Sequence, residues 1–239
     1  PANLAYNPVA GRLYVPGGHR VLAVDALTGE RIGRWPAFHN EGPVCYEPTG
    51  DAVYFSSYNE AADRYDLLVY DGTTGALRAT IPTGDNYAVG FSPNSGAGKV
   101  LCLLGDEEST DELLVVSSTG DSVLARHRAN EESRSIAFSP RANRHYIADY
   151  RQLLVLDGAT DSLLAPVSVN LNVTSICYNP VNHTVCCGND DGGEWLHFVS
   201  CSLNVVVDSI EYPWEVTGMA ADSVAGRIFA INDEGNGLY

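Results

Sequence analysis

The tetrapeptide Ala5-Tyr6-Asn7-Pro8 decides the fold, because related tetrapeptides return along the whole chain. Successive copies start 40, 45, 47, 40 and 43 residues apart, and the sixth copy is degenerate. A repeat of this length organises the architecture and has to be identified before individual strands are assigned. The later copies are Cys45-Tyr46-Glu47-Pro48, Gly90-Phe91-Ser92-Pro93, Ala137-Phe138-Ser139-Pro140, Cys177-Tyr178-Asn179-Pro180 and Ala220-Ala221-Asp222-Ser223.

The residues after each copy predict four short strands, A to D, joined by turns. In the first repeat a turn leads to the β-rich run Arg12-Leu13-Tyr14-Val15, and a second apolar run ends at Asp25. A Gly/Thr turn and a last strand follow, and no window shows helical periodicity over about ten residues or more. We expect the aspartate to accept hydrogen bonds from the turn amides behind it. Four antiparallel strands in each unit predict an all-β fold, a β-propeller of four-stranded antiparallel blades.

The repeat predicts a single β-propeller domain over residues 1–239. The chain holds five complete blades and about half of a sixth, so a closed ring of about six or seven blades needs strands that this sequence lacks. Either the sequence is a fragment of a longer protein, or a neighbouring subunit completes the ring by strand addition, which favours a homo-oligomer or filament. The predicted blades are approximately 3–36, 43–82, 88–127, 134–168, 174–211 and 217–239.

The pattern Y-N-P-x-x-x-R/K-x-Y-V, followed by V-x-V-D-x-x-T-G/N, resembles the YVTN family of β-propeller repeats, which is related to the NHL and WD40 propellers. The resemblance covers essentially the full chain, and the copy at residues 176–189 resembles repeats of secreted bacterial members. It implies an extracellular or cell-surface protein whose signal peptide is absent from this sequence. The sixth copy departs from the pattern, as does Ser117-Ser118 in place of the strand-C aspartate. The repeat is specific for fold and unspecific for function.

The charge of the chain excludes some functions and predicts an acidic face. Its 239 residues carry 30 acids and 14 Lys plus Arg, a net charge of −16, without the basic patch that nucleic-acid binding requires. No apolar run is long enough to span a membrane. On the alignment, the B–C and D–A loops, which include 57–66 and 82–88, emerge on one face and hold 20 acids against 5 arginines. The other face is predicted to be nearly neutral.

Three interpretations of the acidic face remain open: a solvated surface, a docking face for a basic protein partner, and a divalent-cation site. Clustered carboxylates suit a structural Ca²⁺, and no other cofactor is expected. Aromatic residues in the same loops suit a binding hot spot, whereas Trp35 and Trp195 are predicted to be packing residues. The metal candidates are Asp106, Glu108, Asp111, Asp190, Asp191 and Glu194. The binding candidates are Trp214, Tyr212, Tyr87, His39, Glu131 and Glu132.

The six cysteines allow two interpretations. They have no zinc-site spacing, and the first interpretation makes them small buried apolar residues. The second is a disulfide, for which Cys177 and Cys187 are the best pair because they flank one predicted hairpin. The vicinal pair Cys186-Cys187 is expected to point to opposite faces of its strand.

No catalytic residue is predicted, because the sequence has no GxSxG elbow, no phosphate-binding glycine loop and no CxxCH motif. The function that these features favour is a non-catalytic extracellular or cell-surface scaffold, which binds a partner through the acidic loop face. One alternative is a structural subunit of a fibre or surface layer with blades completed in trans. The other is a hydrolase or lyase acting in the central channel, to which His19, His39 and His127 would contribute.

Overall fold

The computed structural model describes residues 4–37, 42–105, 112–129, 133–169, 172–189, 195–212 and 215–232. Within these ranges the chain forms 22 β-strands and one 3-10 turn at Ser95–Ala97, and it has no α-helix. The strands make five four-stranded antiparallel sheets and one two-stranded sheet. The predicted all-β fold of propeller blades is therefore confirmed. No helix in these ranges has the length and apolar content needed to cross a bilayer.

The chain divides into two compact units, residues 1–131 and 132–239. The first unit contains three sheets, each with its four strands in sequence order. Sheet 1 comprises β1 (Ala5–Asn7), β2 (Arg12–Gly17), β3 (Arg20–Asp25) and β4 (Arg31–Pro36). Sheet 2 comprises β5 (Val44–Glu47), β6 (Ala52–Asn59), β7 (Arg64–Asp71) and β8 (Leu77–Gly84). Sheet 3 comprises β9 (Tyr87–Asn94), β10 (Lys99–Gly105), β11 (Glu112–Ser117) and β12 (Val123–Arg128).

The second unit continues the same order. Sheet 4 comprises β13 (Ser133–Ser139), β14 (Arg144–Asp149), β15 (Gln152–Asp157) and β16 (Val167–Ser168). Sheet 5 comprises β17 (Val173–Asn179), β18 (Thr184–Asn189), β19 (Trp195–Ser200) and β20 (Val205–Glu211). The two-stranded sheet pairs β21 (Gly218–Ala221) with β22 (Ile228–Ile231).

The third residue of the repeated tetrapeptide closes the turn between strands A and B. Asn7 Oδ1 accepts hydrogen bonds from the amides of Val9 and Ala10, each at 3.0 Å. The same position is Glu47 in the second repeat and Asp222 in the degenerate sixth, and both carboxylates accept from turn amides. A residue one or two positions before strand B is left-handed in every repeat, which suits Gly, Asp, Asn and His. These residues are Gly11, Asp51, Gly98, Asn143, His183 and Gly226.

The aspartate that ends strand C closes the next turn, as predicted. Asp71 Oδ1 accepts from the Thr73 and Thr74 amides at 3.1 and 2.6 Å and from the Thr74 hydroxyl at 2.7 Å. The hydrogen bonds of Thr74 lower the pKa of Asp71, because they stabilise the carboxylate. Asp25 and Asp157 repeat these contacts, so the aspartate has a structural role.

An Arg-x-Tyr motif at the start of strand B ties each such strand to the next sheet. The Tyr14 hydroxyl donates to the Gly72 carbonyl at 2.7 Å, and Arg12 Nη1 donates to the same oxygen at 3.0 Å. In the second unit, Arg144 Nη1 donates to the Cys201 carbonyl at 3.0 Å. Burial raises the pKa of the Tyr14 hydroxyl, which therefore remains protonated and able to donate. We call this arrangement the latch.

Apolar residues fill the spaces between consecutive sheets within each unit. Trp35 is 7% exposed and stacks on Tyr14 and Tyr70, with ring centroids 5.2 and 5.0 Å apart, which confirms its predicted packing role. On β6, Phe55 joins this cluster while Tyr54 points to the cluster shared with sheet 3. Sheet 2 is therefore buried on both faces, as a blade between two neighbours should be.

All six cysteines are free thiols, and five of them are buried. Cys186 and Cys187 belong to clusters on opposite faces of β18, as expected for adjacent strand residues. The second interpretation, a Cys177–Cys187 disulfide, is wrong, because Cys177 lies opposite Cys186 in the ladder and Cys187 points to the other face. Burial raises the pKa of the Cys187 thiol, so it behaves as a core residue.

Candidate binding site

The hairpin of β6 and β7 is longer than the sequence predicted. Residues 57–66 were expected to be a loop, but the ladder continues through the pairs Ser57–Asp66, Tyr58–Tyr65 and Asn59–Arg64. Only residues 60–63 connect the strands. The strand pattern is hidden in the sequence because the buried members of this extension, Ser57 and Asp66, are polar. The consequence is that its side chains are held by paired strands.

Three tyrosines form a cluster at this hairpin. The rings of Tyr58 and Tyr65 meet edge to face, with centroids 5.1 Å apart and planes at 64°. Tyr87, at the start of β9, contacts Tyr65 at a centroid distance of 5.4 Å. All three rings are partly exposed. Edge-to-face packing is favourable between aromatic quadrupoles, so the rings hold one another in place. We call this set the tyrosine cluster.

A buried aspartate, Asp66 on β7, connects the two strands of the hairpin through a hydrogen bond from Asn59 on β6. Asp66 is 2% exposed, and its carboxylate accepts from Arg64 Nε at 2.9 Å and from Asn59 Nδ2 at 2.8 Å. Both oxygens therefore have a donor, as a buried charge requires. The ion pair leaves Arg64 40% exposed at its side chain. Asp66 thus positions the hairpin.

Three further acids around the cluster are exposed to solvent: Glu60, Asp63 and Asp85. The Tyr58 hydroxyl donates to the Asp63 carboxylate, and this hydrogen bond raises the pKa of Tyr58. With Asp66 and Arg64 included, the segments 57–66 and 82–88 carry four acids against one base. The tyrosine cluster therefore lies in a negatively charged surface.

A groove of about 460 Å³ lies beside the hairpin and is open to solvent. Polar hairpin residues and apolar side chains both line it, which is a common composition for a recognition site. Its lining residues are Pro36, Ser57, Tyr58, Asn59, Glu60, Ala61, Asp66, Leu68, Tyr70, Leu77 and Thr80. Tyr58 contributes to both the groove and the cluster, so the two features form one surface of the first unit.

The structure places two of the predicted binding residues. Tyr87 belongs to the tyrosine cluster. Tyr212, in the second unit, packs against the buried cluster that contains Leu196 and Val216. The other binding candidates, which are Trp214, His39, Glu131 and Glu132, lie outside the described residues. The metal candidates Asp106, Glu108, Asp111, Asp190, Asp191 and Glu194 also lie outside them.

In the described part of the chain, no group of three or more His, Cys, Asp and Glu side chains is placed to hold a metal ion. One histidine–hydroxyl pair is close, since His197 Nδ1 lies 2.6 Å from Ser209 Oγ. The two residues are direct ladder partners on β19 and β20, and burial lowers the pKa of His197.

The structure differs from the sequence-based expectation at two aromatic residues, Tyr65 and Trp195. Tyr65 was assigned to a loop, although its ring joins Tyr58 and Tyr87, and alternation along Arg64–Leu67 was the available signal. Trp195 was predicted to pack, but it is 43% exposed at the start of β19, so that prediction is wrong. At a strand end the neighbouring sheet no longer covers the side chain.

Comparison with known proteins supports the fold alone. No family model matches the sequence, and no curated protein matches it. Among 1430 matching chains of solved structures is hydrazine synthase of Kuenenia stuttgartiensis, with a TM-score of 0.80 and 12% sequence identity. The match covers 100% of this chain and 82% of that one. At this identity the likeness concerns the backbone arrangement, and a fold of this kind hosts many functions.

Proposed function

We propose that this chain is a non-catalytic β-propeller scaffold of the extracellular space or cell surface, which binds a basic protein partner through an acidic loop face. The observation that carries the proposal is the tyrosine cluster on the acidic β6–β7 hairpin. Partly exposed tyrosines offer large contact area at a small entropic cost, because each has only two side-chain torsions. Their π faces also attract arginine and lysine.

The hairpin supports binding because its side chains are ordered before a partner arrives. Ladder pairing holds Tyr58 opposite Tyr65, and the Asp66 ion pair fixes the base. Pre-organised groups lose less conformational entropy on binding, so more of the contact energy contributes to affinity. The adjacent groove offers a place for an apolar side chain of the same partner, since Leu68, Tyr70 and Leu77 line it.

The charge around the cluster supports a basic partner in particular. Glu60, Asp63 and Asp85 are exposed, and their carboxylates act at a distance before contact is made. Such attraction raises the association rate and makes it sensitive to salt. A neutral partner would lack this long-range attraction, and an acidic partner would be repelled.

The test is a titration of octa-arginine into the full chain at NaCl concentrations from about 50 to about 300 mM. We expect affinity to fall steadily with salt. The double variant Glu60→Gln/Asp85→Asn removes two exposed charges, each contributing about 0.2–1 kcal/mol, so the affinity should fall about two- to thirtyfold. The matched control Glu30→Gln/Asp208→Asn removes two exposed acids elsewhere and should change it less than about twofold.

A second arm separates the aromatic contribution from the charge. Tyr87→Ala should lower octa-arginine affinity about fivefold, which corresponds to one cation–π contact of about 1 kcal/mol. Tyr6→Ala is the matched control, because Tyr6 is 52% exposed on β1 of the same unit and outside the cluster. Binding that is independent of salt, or equal losses in Tyr87→Ala and Tyr6→Ala, would contradict the proposal.

A further inference from the structure

A second groove, of about 250 Å³, lies between sheets 4 and 5 of the second unit and is lined by basic residues. We call it the arginine groove. Its lining residues are Arg141, Ala142, Arg144, His183, Cys201 and Ser202. Arg144 is the first residue of β14, and the other lining residues belong to the A–B and C–D turns, at the ends of the strands opposite to the B–C connections. A concentration of cations is notable in a chain with 14 Lys plus Arg and 30 acids.

The turns around the arginine groove are fixed by backbone and side-chain hydrogen bonds. The Cys201 amide donates to the His183 carbonyl at 3.1 Å, and Arg144 Nη1 donates to the Cys201 carbonyl at 3.0 Å. His183 has a left-handed φ of 56°, a conformation in which Asn, Asp and His are enriched. The Tyr178 hydroxyl lies 3.2 Å from His183 Nδ1 and holds the ring.

The arginine groove contains more hydrogen-bond donors than the latch uses. Arg144 forms the latch through Nη1 alone, to the Cys201 carbonyl and to Asn204 Oδ1 at 3.1 Å. A guanidinium has five N–H groups. None of the described contacts uses the N–H groups on Nε and Nη2 of Arg144, so these groups can donate to a ligand. Arg141 is exposed and forms no ion pair within the described ranges. When Tyr178 donates to Nδ1, the neutral His183 ring carries its proton on Nε2, which adds a further donor.

The repeat supplies an internal comparison, because the same turns occur between sheets 1 and 2. There Arg12 and Tyr14 form the same latch with the Gly72 carbonyl. The position of Arg141 is occupied by Val9, and that of His183 by Asp51, whose carboxylate accepts from Tyr46 and Asn7. The first unit therefore has an apolar residue and an acid where the arginine groove has Arg141 and His183. The extra bases of the second unit are not explained by the latch.

The charges of the arginine groove are incompletely neutralised. The nearest acid in the ladder is Asp157, which lies opposite Arg144. Its carboxylate accepts from Thr160 and Ala159 in its own turn, and these bonds account for most of its lowered pKa, with Arg144 a smaller cause. Burial lowers the pKa of His183, and the two arginines lower it further. An anion between them would relieve this repulsion.

We propose that the arginine groove binds a small tetrahedral oxyanion, a phosphate or sulfate group. The two guanidinium groups give charge-assisted hydrogen bonds, for which such an anion has suitably placed oxygens. The His183 ring and the exposed Ser202 hydroxyl complete the set of donors. The groove, of about 250 Å³, has room for one such group together with water.

The test is a titration of the full chain with inorganic phosphate at constant ionic strength, followed by the ring signals of His183 in NMR spectra. We expect saturable shifts with a dissociation constant in about the millimolar range. Arg141→Gln should weaken binding about tenfold, and His183→Asn, followed through the amide signal of Ser202, should also weaken it while keeping a residue that tolerates positive φ. The matched control Arg227→Gln removes an exposed arginine of the same unit and should change binding less than about twofold.

Further arms identify the form of the ligand. If O-phosphoserine binds as tightly as phosphate, the site accepts an esterified phosphate group. If O-phosphoserine does not bind, the site is specific for the free ion. Both results require sulfate or phosphate to bind more tightly than acetate. The proposal is overturned if His183 shows no saturable shift up to about 50 mM phosphate, if acetate competes equally, or if Arg227→Gln weakens binding as much as Arg141→Gln. Unchanged thermal unfolding of Arg141→Gln would show that the variant remains folded.

Discussion

Replacing Tyr14 with phenylalanine removes one hydroxyl from the latch and leaves the buried ring in place. The hydroxyl donates to the Gly72 carbonyl at 2.7 Å, and Tyr14 is 0% exposed. Arg12 Nη1 donates to the same oxygen at 3.0 Å, so the carbonyl keeps a partner. We therefore expect the free energy of unfolding to fall by about 0.5–1 kcal/mol, the lower part of the range for a hydrogen bond.

The chain provides two matched comparisons for this variant. Tyr146 occupies the same position in sheet 4 and contacts Asn204 Oδ1 at 2.9 Å, so Tyr146→Phe should cost a similar amount. Tyr54 occupies it in sheet 2 and is also 0% exposed, but its buried hydroxyl has no partner among the described residues. Tyr54→Phe should be neutral or stabilising by about 1 kcal/mol, because a buried unpaired hydroxyl is costly.

Urea unfolding followed by circular dichroism measures all three variants with a common slope. A change of about 1 kcal/mol corresponds to about 2–4 °C in the midpoint of thermal unfolding for a chain of this size. Equal losses in Tyr54→Phe and Tyr14→Phe would refute the latch, since they would show that the hydroxyl contact to the next sheet contributes nothing of its own.

The remaining predictions concern two turns of the first unit. Gly50→Ala should destabilise the chain by about 1–3 kcal/mol or more in urea unfolding, because the new Cβ would lie 1.9 Å from the Ser118 carbonyl oxygen, whereas Gly17→Ala meets open space. Equal effects of the two would contradict the close approach of sheets 2 and 3. The lowered pKa of Asp71 gives stability that is present above its unfolded pKa of about 4 and is lost as the pH falls through the lower folded value. The stability gap between the native chain and Asp71→Asn should therefore narrow progressively as the pH falls below about 4, and a constant gap would contradict this.

The repeat predicted the fold because each copy fixes both turns of a blade. The third residue of the tetrapeptide, for example Asn7 or Glu47, accepts hydrogen bonds from the amides of the A–B turn. The aspartate that ends strand C accepts hydrogen bonds from the amides of the next turn, as predicted. The Arg-x-Tyr run was recognised as part of a strand, but its latch was not predicted. Its acceptor, Gly72 O, lies about sixty residues away, and a single repeat does not show which turn it meets.

The site was harder to predict for a physical reason. The sequence of residues 57–66 predicts a loop, because the buried hairpin residues Ser57 and Asp66 are polar and the segment lacks the apolar face that marks a strand. The sequence predicts Tyr87 as a binding residue but not its neighbour Tyr65. Which side chains lie opposite each other in the hairpin depends on the register of β6 and β7. The sequence does not predict the arginine groove, because Arg141 and His183 are 42 residues apart and come together only when sheets 4 and 5 pack.

The YVTN resemblance, the extracellular location and the completion of blades in trans stay predictions, as does the channel-centred enzyme. The fold fits each of them equally well, because a propeller supports binding, structural and catalytic roles alike.

Amide chemical-shift mapping of octa-arginine binding tests the central claim most directly. At about 50 mM NaCl the largest changes should fall on residues 57–66 and 82–88 of the first unit, around Tyr58, Tyr65 and Tyr87, and should diminish in Glu60→Gln/Asp85→Asn. Changes that spread evenly over all acidic surfaces, or that leave the tyrosine cluster unaffected, would contradict the account.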